Sequence, residues 1–243
     1  MDKFLNTLVD NLKKIFKERL SSVFLYGSCA VEDCSKSFSD INLMVIIEDL
    51  CAADLKKAHG AVDKFVKNGK YLPIFMDKEE WFNSCDVYSI EYSDIKERNK
   101  IVYGENLIDG LTVNKANLRL QCELELKNLL VRLRQTYLAK STDKKVLKNL
   151  IYMSSKTFLV IFRAILRLLE VQVPIKHNDV IVNFSDKIKE CNCGIDFDCE
   201  MFLKILEFRE KPKHIKDEEF ETIIQKLIDT TNSVLKYVDK LEV

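Results

Sequence analysis

Residues 150–169, LIYMSSKTFLVIFRAILRLL, are apolar on nearly every side of a helix, and a helix of that kind is stable only when it is surrounded. The stretch therefore demands other helices around it, and the flanking sequence supplies them. Helical periodicity predicts one partner over residues 115–138 and places the central helix over 143–170, ended by the Val173-Pro174 step. Shorter helices are expected over 179–190 and 199–210. A last amphipathic helix is expected over 217–240, with Phe220, Ile223, Ile224, Leu227, Val234 and Val238 as its inner stripe.

Upstream of YGENLIDG the pattern is different. Phe4, Leu5, Leu8, Leu12 and Ile15 follow helical spacing, so an amphipathic helix opens the chain. SVFLY and INLMVII then read as strands, the second long and apolar enough to be central. A helix over 54–67, a strand in YLPIFM, a brief helix in DKEEWF capped by Asp77, and a fourth strand in DVYSIEYSDI complete this half. The fold class predicted is α+β. An α/β domain with a mixed sheet occupies residues 1–112, and an all-α helical bundle occupies 113–243.

Composition narrows the partners. Lys plus Arg and Asp plus Glu are equal at 38 each, so the basic footprint of a dedicated duplex-binding protein is missing and nucleic acid is disfavoured. The amino terminus lacks the apolar core of a signal peptide, and the sequence reading places no membrane span, so a cytoplasmic protein is expected. A homodimer remains open. The eight Cys read as free thiols. Cys191, Cys193 and Cys199 lack the paired C-x-x-C spacing of zinc sites, and His177 and His214 fall on separate elements.

The chemistry concentrates in LYGSCAVEDCSKSFSDINL, residues 25–43. Period two along the second strand sends Asp40, Asn42, Met44 and Ile46 to one face and Ile41, Leu43, Val45 and Ile47 to the other. Gly27 ends the preceding strand, where a residue without Cβ lets backbone N–H groups approach an anion, and Ser28 can donate a hydroxyl. Alone, Gly27-Ser28 is equally a strand-to-helix turn capped by Ser28. On the predicted fourth strand, Ser89, Glu91 and Ser93 share a polar face, so Glu91 is the third candidate to converge with Asp40 and Asn42. Such oxygen donors suit Mg²⁺.

Gly27-Ser28, eleven intervening residues and Asp40-Ile41-Asn42-Leu43 together resemble the signature of the DNA polymerase β nucleotidyltransferase superfamily. The helical second half resembles the bundle of kanamycin nucleotidyltransferase and its relatives. The resemblance implies that Gly27 and Ser28 hold a nucleoside triphosphate, that Asp40, Asn42 and Glu91 bind Mg²⁺, and that Asp40 and Glu91 are catalytic. The nucleotide would lie in an interdomain cleft. Its monophosphate would pass to a hydroxyl of a small-molecule or protein acceptor.

Two departures stand out: Val31 and Glu32 occupy positions where many relatives carry Arg and Gly, and Asn42 replaces the second acid of the pair. With Asn42 the site's charge falls from minus three to about minus two when all its carboxylates are ionised. A transferase and a nucleotide-binding module without turnover are both compatible with this sequence.

Elsewhere, Arg163 and Arg167, with Lys156 two turns earlier, are expected to pair with acids such as Glu123 and Glu125. Tyr26, Tyr88 and Tyr92 are expected in the core or cleft wall. Trp81 and Phe82 are expected to pack their short helix on the sheet, and residues 94–100, DIKERNK, to form a solvated charged surface.

Overall fold

The alternation of apolar side chains in the first half builds a sheet with two buried faces. A computed structural model describes residues 3–27, 30, 42–67, 72–191, 193–210 and 219–242. The strands are β1 (Leu20–Tyr26), β2 (Asn42–Ile47), β3 (Ile74–Asp77) and β4 (Asn99–Gly104), ordered β3-β2-β1-β4. β1 runs antiparallel to β2 and β4, whereas β2 and β3 are parallel, so the sheet is mixed.

Helices α1 (Lys3–Phe16) and α2 (Ala52–Lys67) supply the layer on one face. There Val23, Leu25, Leu43, Val45 and Ile47 pack with Leu5, Leu8, Leu12, Val62 and Phe65. The opposite face carries Phe24, Met44 and Ile46, which pack with Trp81, Tyr92, Ile95, Leu107, Ile108 and Leu111. Burial on both faces is why β2 reads as an unbroken apolar run.

The brief helix α3 (Lys78–Asn83) begins as its sequence predicts, with Asp77 as N-cap in a capping box closed by Glu80. Trp81 seats this helix on the sheet and is fully buried, while Phe82 is exposed. At the same end of the sheet, Arg19 makes a two-pronged contact with Asp54, Nη2 to Oδ2 at 2.7 Å and Nη1 to Oδ1 at 3.2 Å. Asp54 is only 1% exposed.

The Arg19 guanidinium, helped by Cys51 and Lys57, holds the Asp54 carboxyl well below the usual carboxylate range. A depressed folded-state pKa gives stability above the unfolded value near pH ~4, lost as pH falls through the folded value. Asp54→Asn is therefore less stable than the native chain at pH 7. The gap narrows steadily below about pH 4, where the unfolded chain's Asp54 takes a proton that the native carboxylate, held by Arg19, does not. Denaturant titrations at both pH values test this, and a constant gap would refute it.

The predicted fourth strand is corrected. Residues 84–88 form a turn, and α4 (Ser89–Glu97) follows. Its buried positions are Ser89, Ile90, Tyr92, Ser93 and Ile95, a helical spacing. Ser89 and Ser93 are buried because their hydroxyls donate to the carbonyls of Cys85 and Ser89, four residues back, at 2.8 and 2.7 Å. The real fourth strand, β4, begins inside the run predicted to be solvated surface. Arg98 in that run is buried and pairs with Asp94.

The chain divides into two units, Met1–Asn114 and Lys115–Val243, against a sequence-based boundary after residue 112. The second unit contains α5 (Lys115–Lys140), α6 (Lys144–Leu168), α7 (His177–Glu190), α8 (Cys199–Glu210) and α9 (Glu219–Asp239). Asp143 caps α6 by accepting from Val146 N at 3.1 Å. The helix ends before Pro174. Glu170 adopts a left-handed φ of 57° while Val171 N donates to Leu166 O and Glu170 N to Arg167 O, the pattern of a Schellman stop.

Phe162 of α6 stacks on Phe184 at 4.1 Å and meets Phe202 edge-on at 5.4 Å. Although the sequence reading found no span, α6 is long and apolar enough to cross a membrane. Its most apolar window is 67% buried within the protein, as befits the centre of a helical unit.

Candidate functional site

β1 stops at Tyr26 because Gly27 follows with φ +78°, a left-handed conformation that costs an ordinary L-residue about 1–2 kcal/mol. A Cβ on Gly27 would sit 3.1 Å from Asn42 Nδ2, so the turn and the first residue of β2 are in close approach. The N–H of Gly27 is already committed: it donates to Arg98 O at 3.0 Å. Gly27 thus contributes space and chain direction. Its own amide is not open to an anion.

Tyr26 lies directly opposite Asn42 on β2 and Asn99 on β4. Opposed residues of antiparallel strands share a face, and this is the face of Phe24, Met44 and Ile46. Helix α4 lies on it through Tyr92 and Ile95. Asn99 closes the end of that helix, Nδ2 donating to Ile95 O at 2.9 Å and Lys96 O at 3.2 Å.

Glu91 stands exposed in the first turn of α4. The correction from strand to helix changes which element carries Glu91. The Tyr26 hydroxyl is pushed up in pKa, first by burial and then by the negative charge of Glu91. Gly27, Tyr26 and Asn42 are therefore neighbours at one end of one sheet face, where the charge of Glu91 is felt at Tyr26. Ser28 and Asp40 lie outside the described residues.

The donors in this group are oxygens: the Asn42 amide, the Glu91 carboxylate and the Tyr26 hydroxyl. That set is the hard-ligand type preferred by Mg²⁺. Arg98, whose carbonyl receives Gly27 N, buries Nε without a hydrogen-bond partner among the described residues. Among the described residues, no three His, Cys, Asp and Glu side chains gather as a metal-binding group.

In the second unit Arg163, Glu123 and Lys156 have the following partners. Arg163 is 3% exposed and donates to the carbonyls of Pro174 at 2.8 Å and Ile175 at 2.7 Å. It ties the segment after α6 back onto that helix. Glu123 is held by Arg119 and Lys127 of its own helix, and Lys156 lies over the Tyr152 ring. Of the three tyrosines, Tyr92 is core and Tyr88 is exposed, while Tyr26 is half-buried opposite Asn42. Nothing in the sequence singled out Arg98 or Asn99. Their roles depend on partners in β1 and α4.

No family model matches the chain, and no curated protein matches it. Among solved structures it is similar to spectinomycin adenyltransferase AAD(9) from Enterococcus faecialis, solved with ATP and spectinomycin. The likeness covers 95% of this chain and 98% of that one, at 14% identity and a TM-score of 0.59. The mixed four-stranded sheet followed along the chain by a helical unit is thus the polymerase-β-like nucleotidyltransferase fold with C-terminal helices.

Proposed function

We propose that this chain binds a nucleoside triphosphate with Mg²⁺ at the Gly27 turn and transfers the nucleoside monophosphate to a hydroxyl of a small-molecule or protein acceptor. The observation that carries the reading is the Asn42 amide set against left-handed Gly27, on the sheet face over which α4 brings Glu91. The adenyltransferase fold supports it.

In this reading Asp40, two positions before Asn42 in sequence, and Glu91 hold the metal, with Asn42 as a neutral oxygen ligand. Gly27 keeps the wall open, and Ser28 donates its hydroxyl to a phosphate. The metal supplies neutralisation of phosphate charge. The acceptor oxygen bonds to the α-phosphorus, and the bond from that phosphorus to the bridging oxygen breaks. Pyrophosphate departs with the electron pair, and the hydroxyl proton passes to the Glu91 carboxylate.

A second reading, nucleotide binding without turnover, is favoured by Asn42, because a neutral ligand weakens the field that brings two divalent ions together. Calorimetry of ATP, GTP, CTP and UTP with Mg²⁺, on the native chain and Asp40→Ala, separates the two when each mixture is also analysed for product. Mg²⁺-dependent binding is expected, weakened by about 100-fold in the variant, a loss of the size seen when a metal site is damaged. Labelled product means transfer, and binding without product means a module. No binding by any of the four overturns both.

A further inference from the structure

The chain turns from α4 into β4 within one residue, Arg98. A helix that stops at Glu97 leaves its last carbonyls without the N–H groups of a following turn. Asn99, the first residue of β4, supplies them from its side chain: Nδ2 donates to Ile95 O at 2.9 Å and to Lys96 O at 3.2 Å. Arg98 adds its own N–H, which donates to Asp94 O at 2.9 Å, and its guanidinium pairs with the Asp94 carboxylate. The corner over residues 94–99 is therefore held by side chains from both residues that leave the helix.

The other side of this corner meets the candidate site. Arg98 O accepts from Gly27 N at 3.0 Å, one step past the pairing of Tyr26 with Asn99. Gly27 is held there in a left-handed conformation, and a Cβ on it would be 3.1 Å from Asn42 Nδ2. Where the Arg98 carbonyl comes to rest thus fixes how near the turn stands to Asn42. Gly27 cannot fix this by itself, because glycine tolerates a wide range of φ and ψ.

We propose that Asn99 is a positioning residue for the Gly27 turn: its amide locks the corner between α4 and β4, and the Arg98 carbonyl of that corner sets Gly27 against Asn42. The consequence for ligand binding rests on the nucleotide site proposed above. Asn99 acts from a distance. β1 runs between β4 and β2, which puts the Asn99 backbone about 9–10 Å from that of Asn42. Both N–H bonds of the Asn99 amide are spent on helix carbonyls. An ordinary cap steadies only the last turn of its helix, whereas this one also steadies the carbonyl that orients a glycine of the site.

Amide hydrogen exchange, read by nuclear magnetic resonance on the full chain, tests the positioning. In Asn99→Ala the protection of the Gly27 N–H is expected to fall about 10-fold, the scale of one or two weakened hydrogen bonds. This loss comes on top of any change at Val45, which is fully buried in the middle of β2. Val45 reports opening of the whole sheet, so it separates a loosened turn from a less stable domain. In Asn99→Asp the loss is expected to depend on pH. A carboxylate cannot donate to Ile95 O and the protonated acid can, so protection returns as pH falls through about 4–5. Asn99→Ala shows no such recovery once intrinsic exchange rates are divided out. Calorimetry with Mg²⁺ and the four nucleoside triphosphates reads the consequence, an affinity about 10-fold lower in Asn99→Ala.

Unchanged Gly27 protection in Asn99→Ala overturns the proposal. So does a loss at Gly27 matched by Val45, or an Asn99→Asp variant with no recovery at low pH. A loosened turn with undiminished nucleotide affinity equally overturns it. A native chain that binds none of the four nucleotides overturns the nucleotide site alone, and the exchange of Gly27 still decides whether Asn99 sets the turn.

Discussion

Asn42→Asp raises Mg²⁺-dependent nucleotidyl transfer by about 100-fold over the native chain, the scale on which a single preorganised electrostatic partner acts in a reacting site. The substitution replaces the amide nitrogen that faces Gly27 with a second oxygen and puts a negative charge beside the positions proposed to hold Mg²⁺. It adds little bulk, so the close approach to Gly27, where a Cβ would stand 3.1 Å from the side chain, is kept. A new carboxylate in the proposed site is stabilised by a bound cation. Mg²⁺ should therefore raise the melting temperature of Asn42→Asp more than that of the native chain. Labelled-nucleotide assays measure the rate, with Asn42→Ala as the control for volume. If rate stays flat while fold and nucleotide affinity are intact, the chain is a binding module and transfer is lost for reasons beyond residue 42.

Trp81→Ala lowers the stability of the first unit by about 3–5 kcal/mol, the range for removing a large aromatic side chain from a closed core. Trp81 is fully buried. It stacks on Tyr92 at 4.4 Å, meets Phe24 edge-on at 5.3 Å, and donates Nε1 to Leu107 O at 3.2 Å. The cavity cannot close readily, because its walls come from β1, α4 and the segment before α5. Tyr92 also anchors α4, so the same change loosens the helix that carries Glu91 and should weaken nucleotide binding. Urea titration followed by circular dichroism measures the loss; a value under about 1 kcal/mol would contradict this packing. Trp81 is the sole tryptophan, which makes its fluorescence in the native chain a direct report on this layer.

How much was legible depended on whether a residue's partners are near in sequence. β2 was legible because burial on both faces writes an unbroken apolar run, and α6 because a surrounded helix is apolar all round. The Asp77 cap could be read because its partners lie within three residues. DVYSIEYSDI misled because Tyr88, Ile90 and Tyr92 satisfy period two by coincidence. Ser89 and Ser93 look like surface residues while their hydroxyls are held by local carbonyls. The true edge strand hid in a charge run because Asn99 and Lys100 open it. At the site, the pairing of Gly27 with Asn42 could be inferred from spacing and strand order. The capture of Gly27 N–H by Arg98, and of the Pro174 and Ile175 carbonyls by Arg163, could not, since both depend on where distant backbone comes to rest.

The burial of most of the apolar surface of α6 has a consequence for synthesis on the ribosome. Its apolar surface is covered in part by α9, which begins at Glu219, some fifty residues after α6 ends at Leu168. At ordinary translation speeds that interval lasts roughly 3–10 s, during which a helix apolar enough to be taken for a membrane anchor lacks one of its covers. Nascent chains stalled in this window should be the species that chaperones hold and that aggregate when chaperones are scarce.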